Sequence, residues 1–191
     1  MDIKEEDPRF SEMQNIKRRF FALRNGVIAD RLRRAGDVHR VIFGLTLPQL
    51  VEVAQASGQN PELADVLWAN ATTRESRLLA PMVMPAEEFN FDKAHVWIES
   101  LQNAEEADIL CHRLLRHCHF AAELVVEYIE SGQPMMRYLA LRLAFNLIYK
   151  MNEEERRHVL ELARKELSAN EQLTKFLATQ LTEEAEFLLG E

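Results

Sequence analysis

Three stretches of this chain repeat one pattern: ELADVLWAN (62–70), DKAHVWIES (92–100) and AAELVVEYIES (121–131). Each reads as an amphipathic helix with a large aromatic near its end, and Trp68, Trp97 and Tyr128 are spaced 29 and 31 residues apart. A weaker fourth copy is EERRHVLELARKE (154–166). A repeat of this length is the mark of stacked helical hairpins, because one unit cannot bury its own apolar stripe without a neighbour. Each aromatic-bearing helix is followed by a second: RESRLLAPMV (74–83), EEADILCHRLLRHC (105–118), MMRYLALRLAFNLIYK (135–150) and QLTKFLATQL (172–181). The expected product is an all-α, curved solenoid whose second helices line a concave inner surface.

Ahead of the repeats, residues 10–24 and 26–35 read as two helices broken at Asn25-Gly26, with Gly36 as a stop. Leu47-Pro48 opens a third, over 49–57, and Asn60-Pro61 starts the first repeat. Thr72 and Glu75 have the T-x-x-E spacing of a capping box. The expected organisation is one domain over 1–191, with capping helices in 1–60 and about four hairpins in 61–191. No apolar run approaches the roughly 20 residues that cross a bilayer. The acidic N-terminus MDIKEEDPRF lacks the apolar segment of a secretion signal. A cytoplasmic location without membrane contact is therefore expected.

The net charge of −8 conceals a division. Residues 9–40 hold nine Lys and Arg (Arg9, Lys17, Arg18, Arg19, Arg24, Arg31, Arg33, Arg34, Arg40) against three acids, a local excess of +6. Residues 41–110 hold three basic residues against eleven acids, or −8. An acidic chain can still bind a polyanion when its positive charge is gathered on one surface. The second helices add Arg74, Arg77, Arg113, Arg116, Arg137, Arg142 and Lys175. These form either a ladder along the inner curve, fit for a phosphate backbone, or ordinary solvated faces.

On helix 105–118, Ala107, Leu110, Cys111, Leu114 and Cys118 make an apolar stripe. Glu105, Asp108, His112 and Arg116 make an adjoining polar one at helical contact spacing. Asp108 is then either a carboxylate presented to the groove, with His112 as proton partner, or one member of a solvated charge ladder. Helix 135–150 carries Tyr138, Arg142, Asn146 and Tyr149 beside its core face. The tyrosines either grip a sugar–phosphate edge or cap the core with their hydroxyls in water. Trp68 and Trp97 belong to first helices and are expected to be packing anchors. Cys111 and Cys118, seven residues apart on one helix, stand roughly 10 Å apart and are too distant for a disulfide. Their side chains and the neighbouring histidines diverge, so no metal site is expected. No phosphate loop, G-x-S-x-G or H-E-x-x-H occurs, and no cofactor is expected.

The run LWANATTRESRLLAPMVMP, preceded by HRVIFGLTLPQLVEVA, resembles the AlkD-like DNA alkylation repair family over residues 18–150. That resemblance implies a right-handed α-solenoid of HEAT-like helical hairpin repeats with a concave basic groove. Active members are alkylpurine DNA glycosylases that hold double-stranded DNA in that groove. They use an aspartate, nearby tryptophans and an arginine on the next repeat. The carboxylate stabilises a cationic sugar, the aromatic faces add cation–π contact, and the arginine holds phosphate. Carried onto this chain, the aspartate is Asp108 and the arginine Arg142. The tryptophan that active members place four residues before the aspartate is here Ala104. The expected function is accordingly DNA binding with base excision weakened or lost, through Arg18, Arg19, Arg33, Arg34, Arg77, Arg113, Arg116, Tyr138 and Arg142. The alternative is a non-catalytic scaffold for a protein partner or a DNA structure.

Overall fold

The computed structural model describes residues 8–169 and 171–190, with side chains from Glu12 onward. The acidic stretch 1–7 and the side chain of Arg9 lie outside the described residues. Among those described, the chain forms eleven α-helices and divides into two compact units at Phe89 and Asn90. The first unit holds α1 (Pro8–Ala22), α2 (Gly26–Arg34), α3 (Leu47–Ser57), α4 (Pro61–Ala69) and α5 (Arg74–Val83). The second holds α6 (Phe91–Glu99), α7 (Ala104–Arg113), α8 (Ala121–Tyr128), α9 (Pro134–Leu147), α10 (Glu153–Ala169) and α11 (Gln172–Leu189). No described helix is long and apolar enough to cross a membrane.

Local chemistry explains where the helices begin. Asn25, Asn60, Asn90 and Asn103 each accept a backbone N–H with the side-chain oxygen, starting α2, α4, α6 and α7. Such a cap satisfies donors that the first turn leaves orphaned. Pro48 and Pro61 sit in first turns, where a missing N–H costs nothing. Trp68, Trp97 and Tyr128 are all buried, so the repeated aromatics are core residues.

In the first unit, the apolar segment after α2 is held by a carboxylate. Glu75, fully buried on α5, accepts the N–H groups of Phe43 (3.0 Å), Gly44 (2.8 Å) and Leu45 (3.3 Å). Arg74 neutralises it at 3.2 Å and also donates to the Leu45 carbonyl. The expected Thr72–Glu75 capping box is therefore not formed. Thr73 stands at the helix start, and Glu75 is occupied by a segment 30 residues earlier. The same segment also ties to α2, because Asn25 N–H donates to the Phe43 carbonyl. Gly44 has φ +81°, and a Cβ there would lie 2.3 Å from the Asn25 carbonyl oxygen. No other residue fits that close approach.

In the second unit, alternate helices stack. First helices meet through Phe91 against Phe120, edge to face at 5.5 Å, and through His95 Nδ1 against the Tyr128 hydroxyl at 2.5 Å. Second helices α7, α9 and α11 pack in series, and α10 pairs with α11. Helix α7 is shorter than the expected 105–118. It ends at Arg113, and a 3-10 turn over Leu115–His117 follows. Cys118 thus lies past the helix in extended backbone, not on one helix with Cys111. Both thiols are buried and donate weakly to carbonyls, of Leu139 for Cys111 and Leu114 for Cys118.

The buried Glu75 yields a stability prediction. Glu75→Gln replaces an acceptor by a donor facing backbone N–H groups and leaves Arg74 without its nearest anion, costing about 3–5 kcal/mol. Urea unfolding followed by circular dichroism is expected to show that loss. A midpoint unchanged from wild type would show that the carboxylate does not hold the segment.

Candidate nucleic-acid interface

On α1 and α2, every third or fourth residue turns into the core: Ile16 and Phe20 are buried on α1, and Ala29 on α2. The positions between them are left to solvent. Lys17, Arg18, Arg19, Arg24, Arg31, Arg33, Arg34 and Arg40 are all exposed. Arg31, Arg33 and Arg34 occupy the last turn of α2, where cations favour the negative end of the helix dipole. Arg33 is partly engaged, pairing with Asp30 at 3.0 Å, and Arg24 lies over the Phe21 ring at 3.9 Å. Among the described residues, no carboxylate pairs with Lys17, Arg18, Arg19, Arg31, Arg34 or Arg40. Six cations without an anion partner among the described residues make this surface strongly attractive to a polyanion.

Not every expected arginine belongs to such a surface. Arg77, expected to contact DNA, is only 2 % exposed. Its guanidinium stacks 3.6 Å from the Trp68 ring centroid and donates to the Trp68 carbonyl at 2.9 Å. It cannot reach a phosphate from there. Arg74 is buried with Glu75, and Arg137 is held by Glu166 at 3.0 Å and by the Ser131 carbonyl at 2.8 Å. The inner ladder expected from the second helices is thus broken, because a planar guanidinium serves equally well as an internal tie.

The second unit brings Asp108, Tyr138 and Arg142 together. Arg142 Nε donates to Asp108 Oδ1 at 2.6 Å, and the Tyr138 hydroxyl donates to the same oxygen at 2.8 Å. Arg142 also donates to the Tyr138 oxygen at 3.3 Å. Burial works against the Arg142 charge, but Tyr138 and Asp108 outweigh it and raise its pKa. Burial likewise raises the Tyr138 pKa, so its phenol keeps its proton. The Asp108 side chain remains 38 % exposed beside an Arg142 that is 22 % exposed. The carboxylate is therefore held in place yet open on one side to solvent.

His112 is not the proton partner of Asp108. One turn further along the same two helices it faces Asn146, and its Nδ1 lies 3.3 Å from Arg116 Nη1. Another turn on, Arg116 Nε donates to His117 Nε2 at 3.1 Å, within the field of Lys150. Asp108 with Arg142, His112 with Asn146, and His117 with Lys150 are successive rungs between α7 and α9 and the turns that follow them. Arg113 is half-buried with its Nε unpartnered. Tyr138 caps no solvent-facing core position, since its hydroxyl is committed to Asp108, whereas the exposed Tyr149 hydroxyl bonds to Glu184. Asn146 lies on the same helical stripe as Tyr138 and Arg142, and no local pattern marks Lys150. Its place beside His117 depends on the 3-10 turn that closes α9.

Burial, and after it the Arg116 charge, lower the pKa of both His112 and His117 below the ordinary 6.5. The unfolded chain then binds these protons more readily than the folded one, so stability is full above pH 6.5 and declines as pH falls below it. The double variant His112→Gln/His117→Gln is expected to show a flatter fall in unfolding midpoint between about pH 7.5 and 5.5. Equal slopes in wild type and variant would remove these histidines from the acid response.

A family model described as DNA alkylation repair enzyme matches residues 16–176. A search of curated proteins gave no match. A solved structure, described as a new family of proteins related to the HEAT-like repeat DNA glycosylases with affinity for branched DNA structures, has a similar fold. It superposes with a TM-score of 0.78 at 16 % identity, covering 88 % of this chain and 73 % of that one. At that identity the likeness speaks for the fold alone, a helical array of HEAT-like repeats. The family match takes in α2 through α10, and with them both the basic surface of the first unit and the Asp108–Arg142 pair; this chain belongs to the DNA alkylation repair enzyme family.

Proposed function

We propose that this protein binds double-stranded DNA, in the cytoplasm, through the basic surface of α1 and α2 and the Arg113, Arg116 and Lys150 cluster of the second unit. The observation that carries the reading is the set of exposed cations on α1 and α2 with no carboxylate partner among the described residues, in a member of a DNA alkylation repair family. Arg18, Arg19, Arg33 and Arg34 are the phosphate contacts of the first unit, and Arg113 and Arg116 those of the second. Affinity for branched DNA, ascribed to the structural neighbour, makes a four-way junction a natural second substrate to test. Phosphate binding releases counterions, so affinity should fall steeply with salt. In fluorescence anisotropy, Arg18→Gln/Arg34→Gln is expected to reduce the log–log salt slope by about one per cation removed and to weaken binding to all sequences alike. Absence of duplex and junction affinity at low salt would instead favour a scaffold for a protein partner.

We also infer that base excision is absent or feeble. The position one helical turn before Asp108 is Ala104, so α7 offers no aromatic face there to a cationic lesion. Tyr138 directs its hydroxyl, not its ring, at Asp108. Release of 7-methylguanine from alkylated duplex DNA is expected at the spontaneous rate for wild type and Asp108→Asn alike. Faster release by wild type, lost in Asp108→Asn, would make Asp108 catalytic.

A further inference from the structure

The 3-10 turn before α8, helix α8 itself and the first half of α10 border a cavity of about 480 Å³, whose apolar interior the DNA reading does not use. Its size is that of a small-molecule site. The floor is apolar, formed by Val125 of α8, Leu147 at the end of α9, and Val159 of α10. Cys118 joins that floor as a neutral thiol, its pKa pushed up to about 11 by burial. Val126, also lining the cavity, is 67 % exposed, so apolar surface continues from floor to mouth.

The mouth has the opposite character. Arg116, His117 and Lys150 line it. Among the described residues, Arg116 donates only to imidazole nitrogens, of His112 and His117, neither of which cancels its charge. Lys150 is exposed and has no carboxylate partner among the described residues. Glu155 is the one carboxylate among the lining residues, and its Oε2 accepts the Asn152 N–H at the start of α10. It therefore serves the helix cap. The cavity combines an apolar interior with a rim on which Arg116 and Lys150 outnumber the one carboxylate, Glu155, the complement of an amphipathic anion.

We propose that this cavity binds a small organic anion, with an apolar chain or ring against Val125, Leu147 and Val159 and a carboxylate or phosphate head met by Arg116 and Lys150. Burial is the first cause of the lowered His117 pKa and the Arg116 and Lys150 charges come after it; an anion there offsets those charges, which supplies a spectroscopic readout.

Octyl phosphate and decanoate are suitable probes, with 1-octanol and inorganic phosphate as tail-alone and head-alone controls, titrated calorimetrically into the full chain. At least one anionic amphiphile is expected to bind at least tenfold more tightly than either control, and its identity tells phosphate from carboxylate. Proton NMR of His117 is expected to show its pKa rising on saturation. Arg116→Gln/Lys150→Gln should weaken binding tenfold or more. Ala122→Trp, at an exposed lining position, should abolish binding by filling the cavity while leaving the thermal unfolding midpoint in place. Failure of both amphiphiles to bind at millimolar concentration would overturn the proposal. So would equal binding of 1-octanol, or unaltered binding in either variant. Arg116→Gln/Lys150→Gln also removes proposed DNA contacts of the second unit, so the two readings are told apart by Ala122→Trp, which alters no proposed DNA contact, and by Arg18→Gln/Arg34→Gln, which alters no residue of the cavity.

Discussion

A buried carboxylate is costly unless every lone pair is answered, and Glu75 is answered by three backbone N–H groups and an arginine. That arrangement decides how the first unit is assembled. The segment Phe43–Leu45 has no regular structure to satisfy its N–H groups, and Glu75 supplies the acceptors a strand partner would otherwise give. Through Asn25, the same segment fixes the start of α2. The basic face of α2 is thus oriented by a charge on α5, far along the chain. Without Glu75, the exposed arginines would remain in the sequence but lose the frame that presents them together.

The fate of each arginine follows from what lies within reach of its fork. Where a ring, a carbonyl or a carboxylate stands close, the guanidinium is drawn inward, buried for Arg74 and Arg77 and half-buried for Arg137. Where the helix face meets only solvent, as for Arg18 and Arg34, the charge stays available. Periodicity cannot separate these outcomes, because both place arginine at the edge of an apolar stripe. The difference is a property of the neighbouring helix, which local sequence does not contain.

The helical repeat was legible because an apolar stripe with a recurrent aromatic has one economical solution, and Trp68, Trp97 and Tyr128 occupy it. Helix starts were legible at Pro48 and Pro61, whose ring chemistry acts locally. The end of α7 was not, since nothing between Arg113 and Cys118 breaks a helix by propensity and tertiary packing sets the 3-10 turn. The pairing of Asp108 with Arg142 came from family likeness, and the third member, Tyr138, followed only from the stacking of α7 on α9. The segments FGLTLPQL and RESRLLA, which carried the likeness, prove to be two sides of one contact, with Gly44 and Glu75 bonded to each other. Their co-occurrence therefore reports the architecture of the first unit rather than its chemistry.

The clamp on Asp108 bears on how an acidic residue can live next to a polyanion. A lone carboxylate at a phosphate-facing position repels the strand it meets and favours departure of the nucleic acid. Joined to Arg142 and the Tyr138 phenol, it becomes the more exposed half of a pair whose formal charge is zero. Such a group can lie against a sugar without driving its phosphates away, and still offers an oxygen to any positive charge that appears there.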